Sequence, residues 1–121
     1  MTPALLLSGI RLAVGAGAWA SPGLAGKAFG LDTDANPQAT YLARLFGVRD
    51  AVLAAGTLAT TPGVERNLWW KLGIATDALD VAAAVVGVRE GRLPVRTGIL
   101  GGLTAAGAVA LGVLALRSEE D

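Results

Sequence analysis

The chain has 121 residues and a formal net charge of zero; 53% of its residues are hydrophobic, only 17% are charged, and its mean hydropathy is +0.54. That length fits one domain or one small bundle, and the composition fits a multi-pass membrane protein better than a soluble globule. Neutrality excludes a basic field for holding nucleic acid, and the lack of cysteine and histidine excludes disulfides, thiol redox chemistry and the usual zinc sites.

The first apolar segment predicts a helix over residues 3–20, with Thr2 as N-cap and Pro3 at the first helical position. Ala18-Trp19-Ala20 looks like a small-x-small cleavage site. No positive residue precedes the apolar stretch, however, and Arg11 interrupts it, so the segment reads as a first transmembrane helix. Ser21-Pro22 repeats the start signal and opens residues 23–31, which are too few to span and carry Lys27 beside Phe29. They predict a short interfacial helix or re-entrant turn. After a polar loop over residues 32–36, Asn36-Pro37 is expected to cap a second long helix reaching about Thr60. Thr61-Pro62-Gly63 is a turn, and a third long helix is expected over residues 64–90, stopped by Gly91 with Pro94 beyond. The fourth covers residues 95–117, ahead of a solvated Glu119-Glu120-Asp121 tail.

Residues 97–116 of that last segment are twenty in a row without a charge, about the length that crosses ~30 Å of hydrocarbon. The fold expected is all-α: a single domain over residues 1–121, with four transmembrane helices in a bundle and a short interfacial helix between the first and second. A soluble four-helix bundle is the alternative, because charges break the other three segments. Trp19, Phe29 and Tyr41 are expected near one membrane face and Trp69 and Trp70 towards the other, as an aromatic belt. Lys27, Arg89, Arg92 and Arg96 outnumber Arg66, Lys71 and Arg117 on the side of the termini, which places the termini outside the cytoplasm. Eight arginines against two lysines, with much Ala, Gly and Val, read as a GC-rich bacterial genome and hence a bacterial inner membrane.

Small residues recur every fourth position in three segments: Gly9, Ala13 and Gly17; Ala39, Ala43, Gly47, Ala51 and Ala55; Gly98, Gly102, Ala106 and Ala110. Such faces let backbones approach closely and offer a route to a homodimer or a membrane partner. Ala and Gly are common enough here that some four-residue spacings arise by chance.

The chemistry-bearing residues are charges near the midpoints of the apolar segments: Arg11, Arg49, Asp50, Asp77 and Asp80. A lone charge at that depth costs roughly 2.5–3.5 kcal/mol on insertion scales, so these groups must pair, line a hydrated cavity or do a job. Asp77 and Asp80 share a helical face. Two carboxylates that close in low dielectric are not both charged unless cations neutralise them. Asp50 falls on the side of Ala43, Gly47 and Ala54, and Arg49 points about 100° away towards another neighbour. Arg44, over one turn nearer the interface, either snorkels or joins the cluster, where it would balance the charges at three each. A balanced network favours a structural role in fixing helix order and register. No phosphate-binding glycine loop, HExxH, GxSxG or Walker lysine occurs, so neither a cofactor nor a metal nor a catalytic residue is expected.

The run Leu42-Ala43-Arg44-Leu45-Phe46-Gly47-Val48-Arg49-Asp50, with Gly56 beyond it, resembles a pattern in small bacterial and fungal four-helix membrane proteins. The family is the one catalogued as domain of unknown function 4267, and the matching positions are Arg44, Phe46, Gly47, Arg49, Asp50 and Asp77 or Asp80. The resemblance implies a multi-pass membrane protein and supplies no activity. By size the chain is also similar to small multidrug-resistance exporters, but it has Arg11 where those carry a glutamate in the first helix.

Three functions are compatible with these residues. The first is a membrane protein whose Arg/Asp cluster sets packing, as a structural or accessory subunit. The second is a proton- or ion-coupled carrier, or a binder of amphiphiles, working through Asp77 and Asp80. The third is a lipid-modifying enzyme that uses carboxylates alone.

Overall fold

A computed structural model describes residues 2–120, without the side chain of Glu120, and it is all-helical over that range. Five helices follow one another: α1 (Pro3–Ala20), the short α2 (Pro22–Ala28), α3 (Gln38–Ala59), α4 (Val64–Arg89) and α5 (Val95–Glu120). Thr2 caps α1 as expected, its hydroxyl accepting from the Leu5 amide at 3.2 Å with Pro3 behind it. Both α2 and α4 end where a glycine takes positive φ, Gly30 at 81° and Gly91 at 70°. At each end the following amide reaches back to close the helix, Leu31 to the Gly26 carbonyl and Arg92 to the Gly87 carbonyl, both at 3.0 Å. A β-carbon at either glycine would be strained in that conformation.

Two terminal expectations are corrected. Asn36 does not cap α3 through its side chain. Its backbone carbonyl accepts from Ala39 instead, while Asp32 Oδ1 accepts from Ala35 and closes the loop one turn earlier. The C-terminal tail is not a solvated coil, because α5 continues to Glu120 and the carboxylate of Glu119 pairs with Arg66 at 3.4 Å. Asp121 lies outside the described residues.

The four long helices run up and down in sequence, packed as two close pairs, α1 with α3 and α4 with α5. Lighter contacts of α1 with α5 and of α3 with α4 join the pairs, so α1 and α4 stand diagonally opposite. Within the α1/α3 pair, Gly15 and Gly47 meet backbone to backbone: a β-carbon on either would fall 2.6 Å from the other's carbonyl oxygen. This geometry lets Cα–H groups point at carbonyls across the interface. The inner face of α1 is therefore Leu7, Ser8, Arg11, Gly15 and Ala18. The Gly9-Ala13-Gly17 stripe faces outward, with nothing near Gly9 or Gly17. On α3 the expected Gly47 is used. On α5, Gly98 packs on Val88 and Gly102 lies near Ala84, but Ala106 and Ala110 are exposed, and the lower half turns Gly112 to Ile74 and Leu7.

Trp70 is buried against Leu7 and Ala115, and Trp69 lies on Gly56, where a β-carbon would collide with the indole. These two rings fill the bundle and do not form a belt. Trp19 and Tyr41 at the other end are exposed, and Phe29 is half-buried. By length and composition, two helices are apolar enough to cross a membrane, α1 and α5 over Val95–Glu119.

The interface gives a paired expectation. Gly47→Ala pushes a methyl into the Gly15 carbonyl and destabilises by about 1–3 kcal/mol, whereas Gly17→Ala is neutral or stabilising by up to about 1 kcal/mol through helix propensity. Unfolding of each variant in mild detergent, followed by circular dichroism, checks this difference in sign.

Candidate functional site

Arg11 projects from the inner face of α1 between α3 and α4. Its Nη2 donates to Asp77 Oδ2 at 2.5 Å and its Nη1 to Asp77 Oδ1 at 3.3 Å, a two-pronged pair across the bundle diagonal. The guanidinium reaches that far because α4 presents Gly73 one turn before Asp77, and a β-carbon there would sit 3.0 Å from Arg11 Nη2. Arg11 and Asp77 are 5% and 3% exposed, so the pair is sequestered from solvent. A planar fork facing a carboxylate suits such burial better than a lysine, since both prongs are satisfied in one geometry.

Arg49 forms the second pair. It leaves α3 towards α4, donates from Nη1 and Nη2 to the two oxygens of Asp80 at 2.9 and 2.7 Å, and lies over the Phe46 ring, 4.4 Å from its centroid. This pair is half-buried. The Phe46 face supplies a cation–π contact on the side that Asp80 leaves open.

Asp77 and Asp80 are thus not paired with each other; each has its own arginine. The surplus carboxylate is Asp50, which is 6% exposed and lies 3.6 Å from Arg11 Nη1 and 3.9 Å from Arg49 Nη2. Its Oδ1 is buried and accepts no hydrogen bond among the described residues, and Arg49 Nε has no acceptor there either. Asp50 lies on the Gly47 and Ala54 side of α3, as the helical spacing predicts.

Arg44 does not join the cluster. Its Nε donates to the Trp19 carbonyl at 3.1 Å and its guanidinium stands 5.9 Å from the Trp19 ring centroid, on the outside of the bundle. It stays outside the cluster, so the balance of three charges each is lost. Two arginines now face three carboxylates.

Two polar contacts had no sequence signal. Ser8 and Thr57 bring their hydroxyls to 3.1 Å in the α1/α3 interface, one turn from Arg11. Arg66 bonds to both Glu119 and the Thr60 carbonyl, tying α4 to α5 and to the α3 end. Serine and threonine are tolerated anywhere in an apolar helix, and an Arg66–Glu119 pair across 53 positions leaves no local spacing to read.

Among the described residues, no three His, Cys, Asp or Glu side chains converge as metal ligands would. Two grooves, of about 300 and 540 Å³, lie on the outer faces of the α4/α5 and α1/α3 pairs, and neither is lined by a member of the cluster. No protein-family model, curated protein or solved structure matches this chain.

The charge geometry sets an order of sensitivity. Arg11→Leu leaves Asp50 and Asp77 buried without their cation and costs about 3–5 kcal/mol. Asp77→Asn costs less, since Arg11 retains Asp50 nearby. Asp50→Asn removes only the surplus charge and stays within about 1 kcal/mol of the parent. Chemical unfolding in detergent orders the three variants, and a larger loss from Asp50→Asn than from Arg11→Leu contradicts the assignment.

Proposed function

We propose that this chain is an integral protein of a bacterial inner membrane with four crossings, whose Arg/Asp cluster is a packing device, and that it serves as a structural or accessory subunit and not as an enzyme. The observation that carries this reading is an inverted distribution of polarity. Arg11, Asp50 and Asp77 are buried, while Leu5, Leu42, Leu79, Ile99 and Leu103 stand 55–70% exposed on the outer helix faces. A water-soluble bundle buries such leucines and exposes its charges. In lipid the outward leucines are solvated by hydrocarbon, and the charges are stable only where they meet inside.

By length and composition α1 and α5 are apolar enough to cross. On α3 and α4 the charges nearest mid-helix, Arg49, Asp50, Asp77 and Asp80, are the ones gathered inside. Apart from Arg44 and Lys71, which stand exposed nearer the helix ends, the outward mid-sections of the long helices are mostly apolar. The bilayer is the partner this exterior requires.

The pairing geometry favours packing over transport. Both arginines hold two-pronged partners on α4, and Asp77 and Asp80 are each fully engaged. These bridges cross between helix pairs whose backbones are otherwise lightly in contact, which is where interhelical polar bonds contribute most to assembly. The resemblance to the family of domain of unknown function 4267 fits the same picture. Arg44 lies on Trp19, Phe46 under Arg49, Gly47 against Gly15, Arg49 on Asp80 and Asp50 beside Arg11. Each of the five matched positions in this run thus has a geometric task.

A second reading, ion- or proton-coupled transport, is favoured by one observation, the unmatched Asp50 carboxylate between two guanidiniums. It moves the titrating group from the Asp77/Asp80 pair to Asp50.

Because the chain has no native cysteine, single cysteines report topology cleanly. Cysteines at Asp34, Thr61, Arg92 and Ser118 are treated with a membrane-impermeant maleimide in intact cells. Four crossings put Thr61 and Ser118 on one side, outside the cytoplasm, and Asp34 and Arg92 on the other. If only α1 and α5 cross, Thr61 labels with Asp34, and the four-crossing reading fails.

A further inference from the structure

The outer face of the α1/α3 pair carries a groove of about 540 Å³ whose walls include Leu12, Ala16, Trp19, Val48, Val52 and Ala55. Its volume falls in the range of small-ligand sites, and the close approach at Gly15 and Gly47 forms its floor. Arg44 is not one of the walls but stands on Trp19 at the groove end nearest the α1 C-terminus, one helical turn before Val48. Its Nε is spent on the Trp19 carbonyl, and no carboxylate among the described residues pairs with it. Its two Nη groups remain free of protein acceptors among the described residues and are exposed beside the Trp19 ring.

We propose that this groove binds one membrane phospholipid, with an acyl chain against the apolar walls and the phosphate on the free prongs of Arg44. This rests on the membrane reading above. The depth is appropriate: Trp19 is eight residues beyond Arg11, about 12 Å along the axis at 1.5 Å per residue. That carries it from mid-depth towards the headgroup level, where tryptophan and snorkelling arginine accumulate. A guanidinium fork held by a backbone carbonyl is preorganised for a phosphate diester, and cationic pockets between helices are a recurrent means of holding lipid headgroups. A second copy of the chain fits the groove less well. The walls contain no carboxylate, so a symmetric contact would bring Arg44 to an apolar surface without an acceptor.

The test is native mass spectrometry of the full chain in neutral detergent, titrated separately with dioleoyl phosphatidylglycerol, with dioleoylglycerol of the same chains, and with inorganic phosphate. The parent is expected to retain one phosphatidylglycerol, and neither dioleoylglycerol nor inorganic phosphate with comparable affinity. Arg44→Gln should weaken retention by about tenfold or more, with Arg44→Lys intermediate. Ala16→Phe, which fills the groove from an exposed position, should weaken it without touching Arg44. Equal retention by the parent, Arg44→Gln and Ala16→Phe overturns the site. So does binding of inorganic phosphate alone with the same affinity, or a change from dimer to monomer in Ala16→Phe with lipid retention intact. Carbonate-washed membranes separate the two readings. Chain released to the supernatant ends the membrane reading and this site with it, whereas chain kept in the membrane with unchanged lipid retention ends the site alone.

Discussion

The two-pronged pair between Arg11 and Asp77 is the interaction on which the arrangement of this bundle depends. It joins α1 to α4, the helices that stand diagonally opposite and whose backbones do not otherwise meet. The two close helix pairs are each held by small residues and apolar side chains over their own length. The register of one pair on the other is set by a guanidinium that must find its carboxylate in the buried interior, where leaving either partner alone costs several kcal/mol. Neighbouring features follow from that demand. Gly73 makes room for the guanidinium, Gly15 lets α3 come close enough to bring Asp50 to its side, and Arg49 repeats the same bridge to Asp80 further along the bundle.

This arrangement has a cost and a consequence. Three carboxylates facing two guanidiniums leave Asp50 without a full partner, and a buried, unsatisfied oxygen is unfavourable unless something offsets it. A scaffold alone is better served by two balanced pairs. Asp50 is therefore the one member of the cluster that the packing account does not require. It is also the place where a mobile proton or cation would be held if the protein does more than assemble. Asp77 and Asp80, although they stand closest together in sequence, are the residues most completely engaged.

Much of the fold is legible in the sequence because its punctuation is unambiguous. Thr2-Pro3 starts α1, Gly91 with Pro94 beyond ends α4, and Thr61-Pro62-Gly63 turns the chain between α3 and α4. The identity of the charged residues at the centre is legible too, since polar groups in apolar helices must meet. The pairing within the cluster is not. Helical spacing says that Asp77 and Asp80 share a face, but it does not say which arginine each faces, because that depends on the diagonal crossing of α1 and α4. Within the bundle the Gly9-Ala13-Gly17 stripe is not the packing face of α1; it is one of several four-residue spacings in a chain rich in Gly and Ala. The better signal is Arg11 itself: a charge near the middle of an apolar helix points inward, and Leu7, Gly15 and Ala18 lie on its side. The inward packing of Trp69 and Trp70 is not legible for a related reason. Gly56 and the small residues of α5 open space inside the bundle that a composition-based belt argument does not see.

The central claim is that Arg11 and Asp77 act as one unit in holding the helix pairs together. The most direct measurement is their coupling free energy, from unfolding of the parent, Arg11→Leu, Asp77→Leu and the double variant in the same detergent. The account predicts coupling of about 2–3 kcal/mol, with the double variant more stable than Arg11→Leu alone because no unpaired Asp77 remains. Additive effects, with coupling below about 0.5 kcal/mol, would contradict it.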